Sequence, residues 1–297
     1  MSFSSDIKKE ILIKERNITD KKAFLYGFLV LKTEIENDII YFSKVSKAFI
    51  KPINSTLKMV FNKEITYKNK RHFLKDASLI INEFNLNHKN DFDKSFIDKD
   101  SEIAAFLSGV FLARGSINNP YKQSYHFEMV LDSFNQAKFL KEILLKREIE
   151  GRIIERKKGF IYYVKKAEQI GDFIKILEAT NSLFEYEDAR IKKDLGNMVN
   201  RINNCDITNA VRAYKSAQDQ LKSIKLIEEH QGYESLSTRL MEAVILRNSY
   251  PEASLQELSE ISFEEIGVNI SKSSLNHRFR EIKEMAFKYI SKDNKWW

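Results

Sequence analysis

Two rhythms of apolar residues run along this chain, and they predict different elements. Over "KAFLYGFLVLKTE", Lys22–Glu34, and again over "AAFLSGVFLARGS", Ala104–Ser116, large apolar residues follow one another with hardly a polar break. A helix that is apolar on every side is a buried one, so both stretches are expected at the centre of a core. Each carries Ala-Phe-Leu-x-Gly and ends on a base, Lys32 in the first copy and Arg114 in the second. The glycines, Gly27 and Gly109, lie 82 residues apart, too far for a small solenoid unit and suited to a duplicated half-domain. After the first copy come an extended "NDIIYFSKV", a helical "KAFIKPINSTLKMVF", a strand pair in "EITYKNKRHFLKD" and a helical "SLIINEF". After the second come "SYHFEMVL", "SFNQAKFLKEILLKREI", "GRIIERKKGFIYYVKK" with "KKG" as its hairpin turn, and "QIGDFIKIL". Each half therefore predicts helix, strand, helix, strand pair, helix, and two such halves pack naturally about a pseudo-twofold axis.

From about Phe184 the pattern is helical only. In "DITNAVRAYKSAQDQLKSIKLIEEH", residues Val211, Tyr214, Ala217, Leu221, Ile224 and Ile227 recur at spacings of three and four and form one apolar stripe. Asp206 or Thr208 is the expected N-cap. The helix is either a core element or a rigid arm between domains. Near Ser235 a last unit begins, with a helix closed by Pro251, a short helix opening at Ser254 and a third capped by Ser271, with Gly267 in the turn before it. Three short helices with a tight connection make a helix-turn-helix candidate. The expected division is thus 1–183 for the duplicated α/β domain, 184–234 for a helical linker and 235–297 for the helix-turn-helix domain.

On the third helix Leu275, Phe279, Ile282 and Ala286 share a face that must pack inward. Ser273, His277 and Arg280 then lie opposite, flanked by Ser274 and Asn276, as short or planar hydrogen-bonding groups near the helix start where base edges are met. Lys272, Arg278 and Lys283 are placed on the flanks, where phosphates are reached. Residues 271–297 hold seven bases and three acids, more than half of the net charge of +7. That concentration favours double-stranded DNA as partner over an ordinary solvated face. The closing "KWW" is expected to pack back on this unit.

A hydrophobic fraction of 43% with 21 Phe is enough for a substantial core in more than one domain. Cys205 is the only cysteine, which excludes an intrachain disulfide and a thiolate metal cluster. The N-terminus is charged, and no segment approaches the ~20 apolar residues that cross a bilayer. The expectation is a cytoplasmic, nucleoid-associated protein with no membrane partner. Asp98, Asp100 and Glu102 precede an apolar helix and are expected as capping groups rather than metal ligands. The five histidines share no ligand spacing, so no cofactor is expected. His126 is expected in a structural role.

The repeated motif resembles the LAGLIDADG helix of homing endonucleases. In that family two such helices pair at the axis of an αββαββα domain, and an acid at the end of each holds the metal that cleaves DNA. Here the acid positions hold Lys32 and Arg114, and a hard cation needs carboxylate oxygens. Glu34 lies two residues beyond Lys32, but the second copy offers only Gly115 and Ser116. The resemblance therefore implies the fold without the nuclease.

Taken with the helix-turn-helix, the chain resembles the WhiA family of bacterial regulators of cell division and sporulation. The match is carried by "AFLSGVFLARGSINNPYKQSYHFEMV", "NAVRAYKSAQDQLKSI" and "ASLQELSEI…ISKSSLNHRFREI", and the opening "SFSSDIKKEI" fits as well. Departures are Lys32 and Arg114, Glu281 in place of a base, and extra residues, roughly "SFEEIGVN", between the two helices of the motif. The resemblance implies an α+β fold, a duplicated LAGLIDADG-like domain followed by an all-α helix-turn-helix domain. It also implies a non-catalytic DNA-binding protein in cell division and chromosome segregation, and a transcriptional regulator. Lys32 and Arg114 would meet phosphate or pair internally, and transcription machinery or cell-division proteins would be further partners. The rival readings are a homing endonuclease that still cleaves DNA and a protein-docking scaffold.

Overall fold

The computed structural model describes residues 2–43, 45–122 and 124–290; the "KWW" expectation lies outside them. Two compact units divide the chain, residues 1–194 and 195–297.

In the first unit α1 (Phe3–Ile13) leads to α2 (Ile18–Lys32), whose cap Asn17 accepts the Asp20 amide at 2.8 Å. Every residue from Ala23 to Leu31 is buried. The backbone then passes directly into β1 (Thr33–Glu36), turns at Asn37 in the left-handed region and returns as β2 (Ile39–Phe42). After α3 (Lys47–Phe61) comes the hairpin β3 (Thr66–Lys68) and β4 (Arg71–Leu74). Its turn residues Asn69 and Lys70 both have positive φ, as the hairpin twist demands. The half closes with α4 (Ser78–Glu83).

The second half repeats this order. It comprises α5 (Asp100–Arg114), β5 (Gly115–Ile117), β6 (Phe127–Leu131), α6 (Phe134–Leu145), β7 (Arg152–Arg156), β8 (Gly159–Val164) and α7 (Ala167–Ile176). Each half builds one antiparallel four-stranded sheet, ordered β1-β2-β4-β3 and β5-β6-β8-β7. The residue pattern predicts a single strand after each motif helix, whereas the structure holds two. The added strands, β1 and β5, are too short to display an alternation, and the αββαββα order of the LAGLIDADG-like fold is complete with them.

The two motif helices touch backbone to backbone. A Cβ on Gly27 would lie 2.5 Å from the Phe106 carbonyl oxygen, and one on Gly109 would lie closer still to that of Phe24. Around this contact Tyr26 packs against Phe84, Phe92, Phe96 and Phe106.

Helix α8 runs from Thr180 to His230. Glu10 of α1 accepts the Asn181 and Ser182 amides at 2.9 and 2.8 Å, so the helix starts well before the expected caps Asp206 and Thr208, which are interior. Short polar residues favour caps only where the preceding turn is not already helical. Of its predicted stripe, Ala217, Ile224 and Ile227 are buried, while Val211 and Tyr214 are exposed.

In the second unit, α9 (Thr238–Ser249), α10 (Leu255–Ile266) and α11 (Lys272–Ile290) enclose a separate core with Ile224 and Ile227 of α8, upstream of Ser235. Among the described residues no helix is long and apolar enough to cross a membrane.

Candidate nucleic-acid interface

Helix α10 opens with a reciprocal cap: Ser254 Oγ accepts the Glu257 amide at 3.2 Å, and Glu257 accepts the Ser254 amide at 2.6 Å. It ends at Gly267, whose φ of 71° only glycine adopts without strain. The "SFEEIGVN" residues expected as extra turn are mostly helix, since Ser262–Ile266 extend α10. Two serines inside α10 pin the turn that follows. The Ser262 hydroxyl accepts the Ile270 amide at 3.0 Å, and the Ser259 hydroxyl donates to the Ile270 carbonyl at 2.7 Å. Neither was visible in the sequence as a functional residue, because the signal is a long-range bond rather than a spacing.

Ser271 caps α11, its Oγ accepting the Ser274 amide at 3.3 Å. Leu275, Phe279, Ile282 and Ala286 are buried. Lys272, Ser273, Asn276, His277, Arg280 and Lys283 are exposed, and Ser274 is half-buried. The polar face of the helix is thus turned outward along its first three turns. His277 keeps 66% of its side chain exposed while Nδ1 sits 3.0 Å from Glu281, whose two carboxylate oxygens accept from Arg239 Nη2 at 2.8 and 2.7 Å.

Arg278 departs from the expectation. Only 10% of its side chain is exposed; Nη1 donates to Glu242 at 2.6 Å and to the Arg239 carbonyl at 2.9 Å. One residue before Phe279, it lies beside the apolar stripe and turns toward α9, so it ties α11 to α9 and is withdrawn from the phosphate-contacting set.

A second arginine, unremarked in the sequence, organises the same unit. Arg247 is fully buried and donates to Gln220 at 3.0 Å and to the carbonyls of Tyr250 and Ala253 at 3.1 and 2.5 Å. Its guanidinium lies over the Phe279 ring, 5.5 Å from the centroid, and burial lowers its pKa to about 10. A buried charge is tolerated where its donors are met.

In the first unit the ends of α2 and α5 bring Lys32 and Arg114 together, with two bases that sequence reasoning did not place there. Lys8 lies 5.5 Å over the Phe111 ring of α5, and Lys89 donates to the Thr33 carbonyl just beyond Lys32. Burial, with the charge of Arg114 second, holds Lys32 below the usual lysine range. Burial and Lys32 lower Lys8 to about 8. Lys89 is also lowered by burial, partly offset by Asp132 and Glu34. Arg114 pairs with Asp132. Four bases against two acids form a donor set that repels a divalent cation rather than coordinating it. Asp98 and Asp100 likewise gather no third ligand: Glu102 accepts the Asp98 and Lys99 amides at 3.1 Å each, and Asp100 pairs with Arg147. Among the described residues no group of three His, Cys, Asp or Glu could hold a metal. His126 meets Glu128 at 3.1 Å and stacks on Tyr163.

Comparison with known proteins follows both units. The family model of the WhiA LAGLIDADG-like domain matches residues 103–196, and that of the WhiA C-terminal HTH domain matches 199–286. The chain is 33% identical over 309 residues to the probable cell division protein WhiA of Staphylococcus epidermidis, covering 97% of each. It is 34% identical over 312 residues to that of Ligilactobacillus salivarius, again covering 97% of each. The crystal structure of full-length WhiA from Thermatoga maritima aligns with a TM-score of 0.57 at 23% identity, over 97% of this chain and 99% of that one. This last likeness is one of fold.

Proposed function

The chain belongs to the WhiA family, and from that premise we propose that it binds double-stranded DNA without cleaving it, as a regulator of transcription in cell division and chromosome segregation. The relatives named probable cell division proteins support the process. The observation that carries the molecular reading is the split of α11: Leu275, Phe279, Ile282 and Ala286 are buried while Ser273, Asn276, His277 and Arg280 face outward. A helix that follows a short turn and presents donors and acceptors near its N-terminus suits the major groove.

In this reading Ser273, Ser274, Asn276, His277 and Arg280 meet base edges, and Lys272 and Lys283 meet phosphates. Lys32 and Arg114 add a basic site at the foot of the paired helices, where an oxyanion would relieve the repulsion among four bases. Transcription or cell-division proteins are further partners, and the protein resides on the nucleoid. The absence of cleavage rests on the charge at that foot, where a nuclease needs carboxylates.

The test begins with genome-wide recovery of crosslinked DNA, expected to give discrete peaks. On a duplex from the strongest peak, replacing Asn276, His277 and Arg280 together by Ala should remove discrimination against random DNA, at about 1–3 kcal/mol per lost base pairing. Weak binding to any duplex should persist. Unchanged discrimination would instead favour a protein-docking role for this helix. Mg²⁺-dependent nicking of plasmid DNA by the wild-type chain would restore the endonuclease reading.

A further inference from the structure

Within the second unit, α8 and α11 are separated by a cleft of about 370 Å³. Arg212, Lys215 and Asp219 line it from α8, and Asn276, Arg280 and Lys283 line it from α11. The spacings, three and four on one helix and four and three on the other, put each trio on a single helical face. Two ladders therefore confront one another, each about 10 Å long at 1.5 Å per residue. Four of the six side chains are bases and one is an acid.

The two α8 bases that line the cleft have no structural task. Arg212 and Lys215 are exposed and, like Arg280, have no acidic partner among the described residues. Within the second unit the buried positions of α8 begin only at Ala217, and the neighbouring Val211 and Tyr214 are exposed. Truncating either base therefore removes nothing from the core. Their one shared property is that they overhang the outward face of α11 at the positions of Asn276 and Arg280.

We infer that this cleft is a second DNA-contact site, in which Arg212 and Lys215 hold the phosphodiester backbone beside the base pairs reached by Asn276 and Arg280. The inference rests on the DNA-binding reading of α11 and adds to it α8, the helix that precedes the three helices of the motif. A ladder of about 10 Å matches roughly three phosphates of one strand, at about 3.4 Å of duplex axis each. Such contacts set register and orientation without reading sequence. Asp219, at the far end of the α8 trio, opposes the same polyanion.

The test uses the full-length chain, a 30-base-pair duplex of random sequence and one of equal length from the strongest crosslinked peak. Affinity is measured by fluorescence anisotropy across a series of salt concentrations. For Arg212→Ala with Lys215→Ala, the slope of log affinity against log salt should fall in magnitude by about 2, near one per phosphate contact. Both duplexes should weaken by the same factor, leaving their ratio unchanged. Asp219→Asn should tighten binding to both, an effect that loss of folding cannot imitate. A salt slope in the double variant equal to wild type, or weaker binding by Asp219→Asn, overturns the inference, even if the cleft then retains an acidic peptide. Should wild type bind neither duplex, the DNA-binding reading falls and takes this one with it. Should wild type discriminate normally and the double variant be indistinguishable from it, only this inference falls.

Discussion

Lys8 illustrates how a single side chain carries the tension of the base cluster. It is charged at pH 7 both folded and unfolded, yet burial and Lys32 penalise that charge in the folded state alone. An unfolded lysine releases its proton near 10.4, whereas Lys8 does so at about 8. Between those values the unfolded chain holds the extra proton, so this group's contribution to stability rises with pH through that window. Lys8→Met should therefore be more stable than wild type in urea at pH 7, and the gap should narrow by pH 9.5. A variant that is weaker at pH 7, or whose offset does not change with pH, would contradict the assignment. Arg278 makes the complementary point. Its spacing alone could not separate an outward flank from one turned to Glu242, 36 residues earlier in the chain.

Among elements, the contact between α2 and α5 is the tightest constraint on the fold. Both helices are buried on all sides, a property read directly from unbroken apolar runs. What the runs do not state is the partner: each motif glycine comes closest to a backbone carbonyl of the other helix. Gly109→Ala drives a methyl group into the Phe24 carbonyl and should destabilise the first unit by about 3 kcal/mol, the upper range for overpacking, as measured by chemical denaturation. A neutral outcome would mean that the helices separate freely, and the close approach would not be a requirement. On α10 the legible part was the start, at Ser254, whose reciprocal partner Glu257 the structure adds. The end differs from the expectation: Ser262–Ile266, expected between the two helices, extend α10 up to its cap at Gly267.

At the scale of the molecule the described residues form two buried clusters, one within residues 3–186 and one within residues 224–286. Separate cores unfold as separate cooperative units unless their interface is large. Calorimetry should resolve two transitions, and Arg247→Ala should lower only one of them. About 3 kcal/mol is expected, since the Gln220 amide oxygen and the Tyr250 and Ala253 carbonyls lose their buried donor. A single transition shifted as a whole would refute the independence of the cores. The net charge of +7 falls wholly within the first unit, residues 1–194, whereas residues 195–297 hold equal numbers of bases and acids and gather their bases locally on α11.

The sequence by itself determined the duplication, the buried motif helices, the loss of their terminal acids and the inward face of α11. Each of these is a local matter of periodicity or residue type, and periodicity survives in one dimension. Tertiary structure alone decided that Arg278 and Arg247 are interior, that Ser259 and Ser262 hold the turn, and that Lys8 and Lys89 join Lys32. It alone set Arg212 and Lys215 across from Arg280. A polar side chain's role depends on which distant donor or acceptor reaches it, and that choice is made only when the elements pack.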